Sequence, residues 1–293
     1  MEEKQGLSDH GPPQGIGRDR PISLSPKNIS CNQSAAYFNV IVLKVLLLSH
    51  RVPFPPHSGY PIVVYNTIKG LLNQGANISL FCLNNSKHYI DIDDIEGPVC
   101  KRIIFYHAPI DIEIDLWDAF INIFSSEPYN VSRYFNNEVA RVLENVLREQ
   151  EFDIIQFEGL FVVPYLEVVK TYSKAKLIYR SHYIEHEVWE RLALRERFSP
   201  QKFYLEFLSR RLKAYEMEQV NRFNQVFAIS NPDRNKWLLM GCRTRLEVFP
   251  VTLDFGIYKI DERQTSFPTL FHLGAMDSRP NKEGLEWFLD EIW

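Results

Sequence analysis

The sequence has no G-x-G-x-x-G after its first apolar run and no G-x-x-x-x-G-K-[ST] anywhere. Those glycine patterns let backbone N–H groups close on a dinucleotide or a nucleoside triphosphate, so the dehydrogenase and P-loop ATPase readings lose their support. It also lacks the roughly 18 consecutive apolar residues that a spanning helix needs. The run Phe38–Leu48 is shorter and carries Lys44. It follows a long polar leader and precedes no small-residue cleavage site, which argues against a signal peptide. Any membrane association is therefore expected to be peripheral. Cysteine is scarce: Cys31, Cys82, Cys100 and Cys242 show no C-x-x-C spacing. They read as reduced thiols of a cytoplasmic protein, not as a disulfide framework or a zinc knuckle. The N-x-S/T triplets at Asn28, Asn77, Asn84 and Asn130 are at the level chance supplies. Positive charge is not in excess. Lys and Arg number 33 against 37 Asp and Glu, a net charge of −4, so nucleic acid is not expected as a partner.

What is present is an ordinary globular composition, 45% hydrophobic and 24% charged over 293 residues, enough for a sizeable core. The most informative stretch is Val40–Gly75. Val45-Leu46-Leu47-Leu48 is short enough for a buried strand and breaks into the Ser49–Ser58 loop, with Pro53, Pro55 and Pro56. After Gly59, apolar residues at Ile62, Tyr65, Ile68 and Leu71/Leu72 recur at helical spacing until Gly75. Strand, rigid loop and glycine-opened helix make the first half of a βαβ unit, whose turn presents N–H groups to anions. The same turn also occurs where nothing binds.

Residues 1–39 are rich in Gly, Pro, Ser, Asn and charge and read as a disordered leader. From residue 40 strand and helix alternate. Strands are expected at Asn77–Leu83, Arg102–His107, Phe152–Phe157, Lys176–Arg180, Gln225–Ile229 and Arg245–Phe249. Helices are expected at Asn136–Arg148, Phe161–Thr171, about Ile184–Phe223 and Pro232–Met240, the last capped by Ser230. This order predicts an α/β domain over 40–250, a Rossmann-like parallel sheet with helices on both faces. Residues 251–266 read as a linker. A strand at Thr269–Gly274, a turn at Asp277–Asn281 and a helix at Lys282–Trp293 then open a new unit. One strand and one helix cannot enclose a core, so residues 267–293 are expected to begin a second α/β domain that is truncated.

Three clusters could carry chemistry. His182 and Glu185 fall where a strand ends and a helix begins, at the sheet edge where α/β proteins bind ligands; alternatively they cap the helix, Glu185 suiting its dipole. The same letters spell His182-x-x-Glu185-His186, the H-x-x-E-H of one metallopeptidase class. Zinc chemistry needs both histidines one turn apart within a helix, plus a further ligand, and His182 is expected before the helix. Third, Arg191–Lys213 carries seven Lys/Arg against two Glu, interleaved with Phe198, Phe203, Tyr204 and Phe207. It reads either as a surface for an anionic membrane or lipid-linked acceptor, or as a helical hairpin with aromatics packed inward and charges solvated.

Four segments in order resemble the retaining, family 4-type glycosyltransferases of the GT-B fold: Pro53–Gly59 (PFPPHSG), Tyr179–Ala193 (YRSHYIEHEVWERLA), Phe227–Asp233 (FAISNPD) and Phe271–Trp293. The resemblance implies two Rossmann-like domains facing a cleft, the N-terminal one holding the acceptor and the C-terminal one a nucleotide-sugar, UDP- or GDP-linked. It implies that Ser58, Gly59 and Gly274 approach the donor, that His182 lies near the transferred sugar with Glu185 supporting the junction, and that no cofactor or metal takes part. It implies transfer of a sugar to a glycan or lipid-linked acceptor in the cytoplasm, at or near the inner membrane face. Gly59 is followed by Tyr60 where a second glycine is usual, Tyr183 stands for the usual Asn and Ser278 for the usual Trp. The basic pair and E-x7-E that grip the donor would lie beyond Trp293, so the chain alone is expected to be inactive. A non-catalytic module that binds an acceptor or a membrane is the alternative.

Overall fold

The computed structural model describes residues 42–113, 127–196, 200–253, 269–274 and 279–293, with a few isolated positions between them. The expected leader (1–39), most of the 251–266 linker and residues 277–278 of the expected Asp277–Asn281 turn lie outside the described residues, and 279–281 of that turn are helical.

Seven strands form one parallel sheet: β1 (Lys44–Ser49), β2 (Asn77–Asn85), β3 (Ile104–Ile110), β4 (Ile154–Glu158), β5 (Lys176–Ser181), β6 (Gln225–Ala228) and β7 (Arg245–Val248). Their order is β3-β2-β1-β4-β5-β6-β7. β1 is apolar on both sides because both are buried. Val45 and Leu47 join one core cluster with Ile68 and Leu80, while Leu46 and Leu48 join the opposite one with Leu143 and Val169.

The helices are α1 (Gly59–Asn73), α2 (Tyr129–Ser132), α3 (Asn137–Glu149), α4 (Leu166–Tyr172), α5 (Glu185–Arg195), α6 (Pro200–Val220), α7 (Asn231–Met240) and α8 (Arg279–Glu291). α3 starts where Asn136 accepts from the N–H groups of Glu138 and Val139, and α7 where Ser230 accepts from Asp233. α7 is pinned to the sheet by buried Trp237, whose indole N–H donates to Ser181 Oγ at 3.1 Å. Among the described residues no helix is long and apolar enough to cross a membrane.

Four expectations change. β2 runs two residues further, because Asn84 and Asn85 satisfy their polar groups on the next turn and on the His50 carbonyl. The helix expected over Phe161–Thr171 is divided. Leu160–Tyr165, containing Pro164, is a 3₁₀ segment, and the α-helix begins at Leu166, as a residue without N–H requires. The long helical region is two helices, the second opened by Pro200. The strand expected at Thr269–Gly274 is not formed; these residues are irregular and Leu270, Phe271 and Leu273 are exposed. A strand exists only with a ladder partner, and no described strand pairs with them.

Candidate functional site

Sequential strands build outward from β1 to β3, and the chain then returns to β4 on the other side of β1. This reversal opens a crevice at the carboxyl ends of β1 and β4, where open parallel sheets hold ligands. One wall is the loop after β1. Val52 and Phe54 are buried in the core, Phe54 edge-on to Tyr65 and Phe105, so the polypeptide enters α1 along a fixed path. Ser58 takes the N-cap position in extended backbone but gives no side-chain cap; its Oγ instead accepts from Arg51 at 3.4 Å. Pro61 brings no N–H to this first turn. The amides of Gly59 and Tyr60 thus stand at a helix start without a side-chain cap, and both residues line a cleft of about 260 Å³. A Cβ on Gly59 would meet nothing within 4 Å. Across the cleft lie His182, Tyr183, Ile229 and Val251.

A buried polar network fixes that wall. Glu158, at the end of β4, is fully buried. One carboxylate oxygen accepts from His182 Nε2 at 2.7 Å and the other from the Gln156 amide at 2.5 Å. Burial works to raise the Glu158 pKa. The bond to His182, the charge of Arg180 and the Gln156 amide outweigh it, so the carboxyl titrates below its ordinary range. An ionised Glu158 accepts hydrogen bonds only, so His182 donates to it through Nε2. Tyr60 Oη donates to the Glu158 carbonyl at 3.0 Å and contacts Ser49 Oγ at 2.9 Å. Its ring packs between His50 and His182, with centroids 4.1 and 4.9 Å away. Burial, then the neighbouring His182 and Arg51, push the His50 pKa down to about 3, so His50 is neutral. Gly159 follows at φ +90, a region that strains any residue with a Cβ. Its N–H reaches the Arg180 carbonyl at 3.0 Å. Arg180 faces Glu158 in the β4–β5 register, is fully buried, and bonds Thr67 of α1.

The other predicted residues lie apart from this cleft. Glu185 is the first residue of α5, partly exposed, and is not among the residues lining the cleft. Its backbone N–H donates to Glu216 of α6 at 2.8 Å, and that of His186 to the other Glu216 oxygen at 3.0 Å. Glu216 therefore caps α5 from a different helix, a function Ile184 at the N-cap position cannot supply. Burial and then the Glu216 charge raise the Glu185 pKa to about 8. His186 Nδ1 is 2.6 Å from Glu216. The two histidines of His182-x-x-Glu185-His186 thus address different carboxylates, and His182 precedes the helix, so they do not form the paired zinc ligands of that motif. Gly274 lies beside His272 and Asn281 and is not among the cleft-lining residues. The inward packing expected of the Arg191–Lys213 aromatics does not occur: Phe198, Phe203, Tyr204 and Phe207 are all exposed.

Glu158 is the site residue that the sequence reading missed. Its signal was an acidic residue closing the apolar run Phe152–Phe157 directly before Gly159, at the edge where ligands bind.

No protein-family model matches the sequence, and no curated protein matches it. Among solved structures the chain is similar to HepE from Anabaena, in complex with UDP-glucose, at 14% identity over 75% of this chain and 47% of that one, TM-score 0.42. It is similar to UGT71G1 from Medicago truncatula, complexed with UDP-glucose, at 10% identity over 85% and 57%, TM-score 0.47. The lipopolysaccharide outer core galactosyltransferase WaaB in its apo form gives 14% identity over 68% and 43%, TM-score 0.37. The chain spans about half the length of these proteins. At these identities the likeness is one of fold alone.

Proposed function

We propose that this chain is the acceptor-side half of a glycosyltransferase that moves a sugar from a UDP- or GDP-linked donor to a glycan or lipid-linked acceptor, of the retaining family 4 type. The observation that supports this reading is convergence. Segments about 120 and 45 residues apart in sequence, around Gly59, His182 and Ile229, meet in one cleft at the topological switch point, and they belong to three of the four segments that resemble that family. Each side has a suited group. The uncapped amides of Gly59 and Tyr60 favour an anionic diphosphate. His182, held by Glu158, offers a fixed hydrogen-bonding nitrogen for a sugar hydroxyl. Glu185 supports the junction from the start of α5, and Gly274 and Ser58 are assigned to the donor side by resemblance.

Calorimetric titration with UDP- and GDP-sugars and with glycans tests the reading. Nucleotide-sugar binding is expected in the millimolar range, about −4 kcal/mol, and is expected to be lost in Gly59→Leu, whose side chain enters open cleft space without disturbing the core. Micromolar nucleotide-sugar binding by this chain alone, or binding indifferent to Gly59→Leu, refutes it.

A further inference from the structure

The α5–α6 hairpin has an outer surface that the cleft does not explain. Leu205, Leu208, Leu212 and Tyr215 of α6 are buried toward the body of the protein. Phe203 and Phe207 are one turn apart on the same helix and exposed by 53% and 41%. Phe198, before the helix and 86% exposed, sits edge-on to Phe203 with centroids 5.1 Å apart. Leu194, at the end of α5, is exposed by 71%. α6 is therefore apolar on two sides, and a helix of that kind is covered on both or lies at an interface.

Charge decides what can cover the open side. Arg191, Arg210 and Lys213 are exposed on the same hairpin, in a segment with seven Lys/Arg against two Glu, while the whole chain is net negative. Arg211 belongs to a different task, since it donates to the carbonyls of Asn122, Ser125 and Glu127. Arg195 pairs with Glu283 at 2.5 Å. The surface is a helix side and a hairpin end, and the cleft includes none of its residues. A bilayer accepts such a surface without a preformed groove. Aromatic rings settle at its headgroup level, and Lys and Arg are drawn to anionic lipid.

We propose that the outer face of the α5–α6 hairpin, with Leu194, Phe198, Phe203 and Phe207 as its apolar contacts and Arg191, Arg210 and Lys213 as its charges, docks on an anionic lipid surface. This does not depend on the transferase reading, and its test uses no sugar.

The test is co-sedimentation of the full chain with vesicles of phosphatidylcholine alone and of phosphatidylcholine containing phosphatidylglycerol. The chain is expected to pellet with the anionic vesicles, to remain in solution with the neutral ones, and to be released as salt rises. Phe198→Ser/Phe203→Ser/Phe207→Ser and, separately, Arg210→Glu/Lys213→Glu are each expected to weaken partitioning about tenfold or more with unchanged thermal melting. If the triple variant does not fold, the charge variant decides alone. Equal binding to both vesicle types, no binding to anionic vesicles, or binding unchanged by the charge reversal overturns the proposal, including the case where the surface instead recruits an acidic protein.

Discussion

Replacing Glu158 by Gln keeps the shape of the side chain and an oxygen that can accept from His182, but removes a charge that Arg180 needs. Arg180 is fully buried, and its Nε and Nη2 have no hydrogen-bond partner among the described residues. Desolvation, its largest influence, already disfavours the charged guanidinium, and Glu158 is the main group that opposes it. A buried charge left without the group that opposes its desolvation costs up to about 3–5 kcal/mol, so Glu158→Gln is expected to lose up to that much stability in urea unfolding at neutral pH. Glu158→Gln/Arg180→Met removes both charges and should cost at least about 1 kcal/mol less than the sum of the single changes. The pH dependence follows with a definite sign. The folded-state pKa of Glu158 lies below its unfolded value, so its contribution is present above about pH 4.5 and is lost as pH falls further. Glu158→Gln should show a shallower acid loss. Additivity of the two substitutions to within about 0.5 kcal/mol would refute the electrostatic coupling.

Three further outcomes follow from the same geometry. Glu216→Ala removes the cap of α5 and the partner of His186; a loss of about 2–4 kcal/mol is expected, with amide exchange accelerated first at Glu185 and His186, and unchanged exchange there contradicts the capping role. Glu185 carries a folded pKa raised from 4.5 to about 8, so its contribution is fully present below about pH 4.5 and declines as pH rises toward 8, by no more than about 5 kcal/mol. Glu185→Gln should flatten that decline in urea midpoints measured across the range, and an unaltered slope counts against it. Gly159→Ala, at φ +90, should cost about 1–2 kcal/mol from backbone strain alone; a neutral melting temperature refutes the strain.

The layered fold was legible because β1 carries the unbroken apolar run Val45–Leu48 and amphipathic α3 alternates with strands, a pattern that a two-faced parallel sheet satisfies. Boundaries were less legible where side chains satisfied the backbone. Asn84 and Asn85 fell outside the expected strand yet lie in β2, since their partners come from the next loop and from the His50 carbonyl just after β1. Residues 269–274 show the reverse, an apolar pattern with strand character but no ladder partner. At the sheet edge, the positions of Gly59 and His182 at strand-to-helix junctions were legible, and both line the cleft. Glu158 was not legible, because its value lies in the bond to His182 and in its charge opposite Arg180 in the β4–β5 register, relations that no spacing along the chain encodes. The cap at Glu185 was not legible for the same reason: it arrives from Glu216, 31 residues away.

The central proposal, that a nucleotide-sugar meets this chain in the switch-point cleft, is tested most directly by NMR titration of the isotopically labelled protein with UDP- and GDP-sugars. The predicted result is a shift change confined to the Gly59 and Tyr60 amides, the His182 ring and Ile229. Changes elsewhere with that cleft silent would contradict it.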